Sequence, residues 1–166
     1  MSVDFFIGTC QEQPTKKSSF GICDDQNQAK AYLDFSNQAK WVAEVENPNH
    51  ESIVFTAIDN CIDLLRPNGK SDYRCDGILT YQDNIIFVEL KERKVKNYVW
   101  IRHAEKQVRS TISHFKANHD INEYSGKRAY LANNKKPYAH SFQGVRIRQF
   151  KQDTGFILYI MNEIEV

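Results

Sequence analysis

Asp76, Glu89 and Lys91 are the residues whose types and spacing could do hydrolytic chemistry together. Two carboxylates held close repel unless a cation sits between them. A hard divalent ion with oxygen preference, such as Mg²⁺, suits that gap. A lysine beside them can orient or activate a water, or neutralise a phosphate. All three must then share one face. In the run 85–91 (Ile-Ile-Phe-Val-Glu-Leu-Lys), alternation along a strand puts Ile85, Phe87, Glu89 and Lys91 on one side and Ile86, Val88 and Leu90 on the other. Residues 75–81 are the partner strand, joined through Gln82-Asp83-Asn84. If the loop is Gln82-Asp83, Tyr81 pairs with Asn84 and Asp76 falls opposite Glu89. A loop from Tyr81 to Asn84 gives the same register, whereas a loop of Asp83-Asn84 pairs Asp76 with Lys91. Any even-numbered loop keeps the three on one face, with Cβ atoms of directly opposed residues about 4.5–5.5 Å apart. The competing structure is an ordinary ion pair of Lys91 with Glu89 or Asp76 on a solvated sheet face.

The two segments, Arg74-Cys75-Asp76-Gly77-Ile78 and Ile85-Ile86-Phe87-Val88-Glu89-Leu90-Lys91, resemble the core hairpin of the PD-(D/E)xK nucleases. That superfamily includes many restriction endonucleases and Holliday-junction resolvases. The resemblance implies that Asp76, Glu89 and the backbone carbonyl of Leu90 bind Mg²⁺ (or Mn²⁺), with Lys91 as the catalytic lysine. Cys75 stands where the proline of the motif would be. Some branches carry an acidic residue early in the preceding helix, and Glu51 occupies that place. A glutamine on the following helix also recurs, and Gln107, with Thr111 one turn on, fits it. Glu51 would equally serve as a helix N-terminal charge, and Gln107 as an ordinary polar helix position. The resemblance covers residues 50 to about 112, reaching at most 132, and residues 1–48 match nothing in it.

The elements that must position this hairpin follow from periodicity. A helix is predicted over 50–65, from apolar positions 54, 58, 61, 62 and 65, ended by Pro67-Asn68-Gly69. Ala104, Val108, Ile112 and Phe115 predict a second helix over about 101–117. Residues 128–132 read as a strand. Residues 142–150 alternate and 155–161 are apolar, so the two are expected to pair as a C-terminal hairpin. Upstream, strands are expected at 3–7, at 19–23, and at 31–35 and 41–45 around a polar turn, with a helix as the competing reading of 30–46. The expectation is one α/β (α+β) domain over 1–166: a restriction-endonuclease-like mixed sheet flanked by helices, with an N-terminal β-rich extension over 1–48, a core over 50–135 and a hairpin over 140–166.

The 166 residues suit one domain, and 41% hydrophobic content suits a folded one. No apolar run is long enough to span a bilayer, and no signal peptide is visible, so no membrane partner and a cytoplasmic location are expected. Cys10, Cys23, Cys61 and Cys75 form no C-x-x-C pair and are expected as free thiols. The five histidines, His50, His103, His114, His119 and His140, have no ligand spacing and are expected at the surface.

A net charge of +1 hides a segregation: residues 1–90 carry 7 Lys/Arg against 14 Asp/Glu, and residues 91–151 carry 15 against 4. A polyanion-binding face in the second half would account for it; so would two halves that neutralise each other. Arg93, Lys94 and Lys96 follow Lys91, and Arg102, Lys106 and Arg109 follow on the helix, with Tyr98 and Trp100 interleaved. These cations would neutralise phosphates and the rings stack on bases; a solvated loop and a core edge are the alternative. The leading expectation is a Mg²⁺-dependent endonuclease acting on nucleic acid, DNA first, as a homodimer if it cuts both strands. The second is an inactive protein on the same scaffold, a toxin-immunity protein or antitoxin with a protein partner.

Overall fold

The apolar run 85–88 has no polar face, and the folded chain covers both sides of it. The computed structural model describes residues 2–94, 98–135 and 143–166. Strand β1 spans Ser19–Cys23, β2 Tyr32–Asp34, β3 Ala43–Glu46, β4 Val54–Ala57, β5 Gly77–Tyr81 and β6 Asn84–Lys91. Helix α1 (Val99–Asn118), β7 (Gly126–Asn133), α2 (Gly144–Thr154), β8 (Ile157–Tyr159) and β9 (Glu163–Glu165) complete the order. The fold is mixed α/β, as the sequence predicts.

Five strands form the central sheet in the order β4-β5-β6-β7-β8. β5 runs antiparallel to β4 and β6, while β7 is parallel to both β6 and β8. A parallel neighbour needs a long crossover, and α1 supplies the one from β6 to β7. On the helix side, Ile85 and Phe87 pack with Ile101, Val108 and Phe115 of α1. On the other side, Ile86, Val88 and Leu90 pack with Phe20, Ile22 and Val45. Those last three belong to a second sheet, β2-β1-β3-β9, in which β9 joins parallel to β3. The molecule therefore stacks helices, a five-stranded sheet and a four-stranded sheet. Burial on both faces is why residues 85–88 of β6 are continuously apolar.

Several local expectations hold. β1 occupies 19–23, β2 and β3 are two strands rather than a helix, and α1 covers the predicted 101–117. Others do not. Residues 50–65 are not a helix: 54–57 is β4, and a turn follows in which Cys61 and Ile62 donate backbone bonds to Ile58 O. Ile53, Phe55 and Ala57 face the second sheet while Ile58, Ile62 and Leu64 join the helix-side core, so burial changes face at residue 58. Residues 3–7 form no strand; Phe5 is buried there through ring contacts with Phe115 and His119. The C-terminal hairpin is also replaced. Residues 144–154 are helical, with Phe150 and Thr154 buried and Ile147 half-buried on one stripe, and β8 and β9 belong to different sheets.

Cys10 and Cys61 are joined in a disulfide, against the expectation of four free thiols; Cys23 and Cys75 are free and buried. The expectation of surface histidines fails for His114, which pairs with Asp72, and for His119, stacked on Phe115. His140 lies outside the described residues. Among the described residues no helix is long and apolar enough to cross a membrane.

Candidate active site

The β5–β6 turn is the two-residue Gln82-Asp83 loop, with Gln82 in the left-handed region at φ 48°. Asp83 O accepts the N–H groups of Ser125 and Gly126, which ties the turn to the start of β7. Tyr81 pairs with Asn84 and Gly77 with Val88. The ladder ends there: Asp76, in a bend just before β5, donates its N–H to Val88 O at 3.1 Å, so Asp76 and Gly77 both lie against Val88. Gly77 is required beside it: a Cβ there would lie 2.3 Å from the Phe55 ring. Alternation along β6 puts Glu89 on the side of Ile85 and Phe87, which face the helices, and the Asp76 charge is near enough to act on it.

Asp76 Oδ2 accepts the Leu90 N–H at 2.6 Å. Within a strand, a residue's N–H and C=O point the same way and alternate between neighbours. The Leu90 carbonyl is therefore turned to the Asp76 side. Glu89 Oε1 lies 2.7 Å from Lys91 Nζ. Lys91 Nζ also donates to Gln107 Oε1 at 2.6 Å, and Gln107 Nε2 donates to Arg74 O at 2.9 Å. One turn along α1, Thr111 Oγ1 accepts the Cys75 N–H and donates to Gln107 O. Gln107 and Thr111 thus clamp the helix onto the entry of β5 and hold the Lys91 ammonium in place.

Glu89 is 1% exposed and Asp76 8%. Burial pushes the Asp76 carboxyl up to about 7; the Leu90 N–H opposes the rise and the charge of Asp24 adds to it. Burial, then the charge of Asp76, raises Glu89 well above the usual carboxylate range. Lys91 at 2.7 Å opposes this and loses: desolvation of a buried carboxylate outweighs one contact. Glu89 Oε2 is buried with no hydrogen-bond partner among the described residues. An orphaned acceptor beside a second buried carboxylate is a polar demand that a cation would meet. The oxygen-only donors suit a hard cation such as Mg²⁺ or Mn²⁺. Among the described residues, however, no group of three or more His, Cys, Asp or Glu is gathered as a metal cluster.

Glu51 is not part of this site, which corrects its assignment to an early helix turn. It precedes β4 in a loop, and its Oε2 accepts from Gln82 Nε2 at 2.7 Å. Gln82 sits at the far end of β6, roughly 20 Å of extended strand from Glu89. Two acids that sequence reading did not single out, Asp24 and Asp59, lie near enough to raise Asp76. Asp59 follows β4, where its N–H donates to Cys75 O and its carboxylate pairs with Arg74. Asp24 follows β1, in the second sheet. No local signal marks Asp24; Asp59 was hidden by the reading of 50–65 as a helix.

The cations separate into two groups. Arg93 and Lys94 are exposed and line a cleft of about 420 Å³ with Gln26, Lys91 and Glu92. Asn133, buried opposite Lys91 on β7, accepts the Arg93 N–H and donates to its carbonyl. Arg102 is exposed on α1. Lys106 lies over the Tyr73 ring at 4.3 Å. Arg109 pairs with Glu105 and Asp153 and covers Phe150, so its place is structural. Lys96 lies outside the described residues. No family model, curated protein or solved structure matches the chain.

Proposed function

We propose that the chain is a metal-dependent nuclease of the PD-(D/E)xK type that hydrolyses phosphodiester bonds in nucleic acid, DNA first. The observation that carries this reading is the buried pair Asp76–Glu89, close enough for one charge to raise the other, with Lys91 on Glu89 Oε1 and Glu89 Oε2 without a partner among the described residues. Asp76, Glu89 and the Leu90 carbonyl would hold Mg²⁺ or Mn²⁺. A cation there supplies Lewis-acid polarisation of the phosphoryl oxygen and a lowered pKa for the attacking water. Lys91, fixed by Gln107, places positive charge where the phosphate becomes more negative in the transition state. Arg93 and Lys94 flank the cleft and neutralise neighbouring phosphates.

The test is cleavage of plasmid, single-stranded and branched DNA, and of RNA, with Mg²⁺ or Mn²⁺ and with EDTA as control. Cleavage lost in Asp76→Asn and in Glu89→Gln supports the reading; equal cleavage by wild type and both variants overturns it. The Glu89–Lys91 pair is also self-satisfied through Oε1, which favours a second reading: an inactive scaffold that binds a protein. That reading expects no cleavage under any metal and a tight complex with a protein partner.

A further inference from the structure

The turn after β4 lies against the site, and a covalent bond holds it there. The Cys10–Cys61 disulfide joins this turn to the segment that runs antiparallel along the free edge of β4. On that edge Ala57 N–H donates to Cys10 O, and Glu12 N–H to Phe55 O, each at 2.9 Å. Across the bridge, Cys61 N–H donates to Ile58 O, Ile58 N–H to Asp76 O and Asp59 N–H to Cys75 O. Asp59 Oδ1 lies 3.2 Å from Arg74 Nε, and Arg74 Nη1 donates to Ile62 O at 3.4 Å. Arg74 O in turn accepts from Gln107 Nε2, and Gln107 Oε1 accepts from Lys91 Nζ. A continuous run of contacts thus leads from the disulfide to the Asp76 backbone and to the Lys91 ammonium. Asn60, beside Cys61, is in the left-handed region at φ 59°. Asn tolerates that conformation at a cost, so the turn has a relaxed state to move to once a restraint is lifted.

We propose that the Cys10–Cys61 bridge is a redox latch on this site: closed, it holds the turn that positions Asp76 and Lys91, and opened by a dithiol, it lets that turn loosen. Its effect on a reaction rests on the nuclease reading; the coupling rests on the contacts alone. Three features separate a latch from a staple. Apolar clusters fill both sides of the central sheet, and a domain of this size folds on such a core without a bridge. The bridge is reachable, because Cys61 is half-buried where Cys10 is 2% exposed. The free thiols, Cys23 and Cys75, are buried, and buried thiols are poor attackers, so the reductant comes from outside. One thiolate of the dithiol attacks Cys61 Sγ, forms a mixed disulfide and releases Cys10 as a thiolate that takes a proton. The second thiolate then displaces Cys61, which takes the other proton. Two electrons pass to the bridge, and the dithiol ends as a disulfide.

The experiment reads the site with and without turnover. The full chain, labelled with ¹⁵N, is compared oxidised, after dithiothreitol without denaturant, and after reoxidation, with thiol titration to follow the bridge. Circular dichroism of the reduced chain should remain that of a folded protein. Amide exchange at Ile58 and Asp59 should rise about tenfold or more, as for local opening. The side-chain amide signal of Gln107, assigned with Gln107→Ala, should shift, and reoxidation should reverse both changes. Reduction should lower kcat about tenfold, the loss expected from a misplaced catalytic group. A chain with Cys10→Ser and Cys61→Ser should match the reduced chain and ignore the dithiol. Unchanged exchange at Ile58 and Asp59, or a stationary Gln107 signal, overturns the proposal. So does unfolding of the whole chain on reduction, or a bridge that dithiothreitol does not open. Cleavage indifferent to redox state, while exchange and Gln107 respond, overturns the latch and leaves the nuclease reading standing. The same responses in a chain that cuts nothing support the latch and overturn the nuclease reading.

Discussion

Asp76 Oδ2 accepts the Leu90 backbone N–H at 2.6 Å, so the first carboxylate of the site is fixed against the backbone between Glu89 and Lys91. That bond stabilises the anion and works against burial. Glu89, by contrast, has one oxygen on Lys91 and the other without a partner among the described residues. The two carboxylates are thus held close where Asp76 bonds to the backbone of β6 at Val88 and Leu90, at an electrostatic cost of its own.

That cost gives a pH dependence with a definite sign. Asp76 is raised to about 7 in the folded chain, against about 3.9 when unfolded. The folded state then binds more protons than the unfolded state between those values, so stability falls as pH rises through the window. Glu89 is raised as well and extends the fall to higher pH. Chemical denaturation of the metal-free chain should show decreasing stability from about pH 4 to pH 7, and Asp76→Asn should flatten the slope. A slope unchanged in Asp76→Asn would show that this carboxyl does not set it.

Metal binding should run the opposite way. Ligand carboxylates must be deprotonated to bind. Added Mn²⁺ or Mg²⁺ should raise the melting temperature more at about pH 8 than at about pH 5.5. Glu89→Gln should remove the shift, and a shift of equal size in that variant would place the ion elsewhere.

The hairpin was legible because alternation, an even loop and three polar residues on one face all agree. The helix α1 was legible from its stripe, and Gln107 with it. Residues 50–65 were not, because their 3/4 spacing merges a strand facing one layer with a turn facing the other: Phe55 and Ala57 in one core, Ile58 and Ile62 in the other. The same loss hid Asp59 and misplaced Glu51. Residues 142–150 alternate in sequence, yet Val145 is 74% exposed and the stripe of Ile147, Phe150 and Thr154 governs. Asp24 reaches the site through the stacking of two sheets, a long-range contact without a local pattern.

Glu51 should therefore be dispensable. Its carboxylate accepts from Gln82 Nε2 at the far end of β6. Glu51→Ala should change stability by under about 0.5 kcal/mol, the usual range for surface positions. Its cleavage rate should equal that of the wild type in a side-by-side plasmid assay. A large rate loss in a folded Glu51→Ala chain would show a role that this geometry does not contain.

The Cys10–Cys61 bridge spans 51 residues of sequence and ties the N-terminal segment to the turn after β4. Loop closure of that length constrains the unfolded chain by about 4 kcal/mol, and measured bridges give about 2–4. Thiol titration in denaturant without reductant should find Cys23 and Cys75 only. Cys10→Ser with Cys61→Ser should lower the unfolding free energy by about 2–4 kcal/mol. Four reactive thiols in the unreduced chain would refute the bridge.

The most demanding prediction concerns Lys91. Its ammonium is pinned between Glu89 and Gln107, with 16% of the side chain exposed. It therefore acts as a placed charge, and charge aimed at the transition state affects rate more than binding. Lys91→Ala should lower kcat about a hundredfold or more, the loss expected on removing one preorganised electrostatic partner. Removing one partner of a buried ion pair costs roughly 3–5 kcal/mol; here the cost should be smaller, because Glu89 already favours the protonated form and can shed its charge. Circular dichroism should therefore show a folded chain with a lowered melting temperature. Gln107→Ala should keep the charge but loosen it, giving an intermediate rate loss of about tenfold, as for a misplaced catalytic group. The order wild type, Gln107→Ala, Lys91→Ala in kcat, with oligonucleotide affinity held within a few-fold, separates a positioned catalytic lysine from a merely structural pair. Undiminished cleavage by folded Lys91→Ala would show that the ion pair with Glu89 is structural and that the reacting groups lie elsewhere.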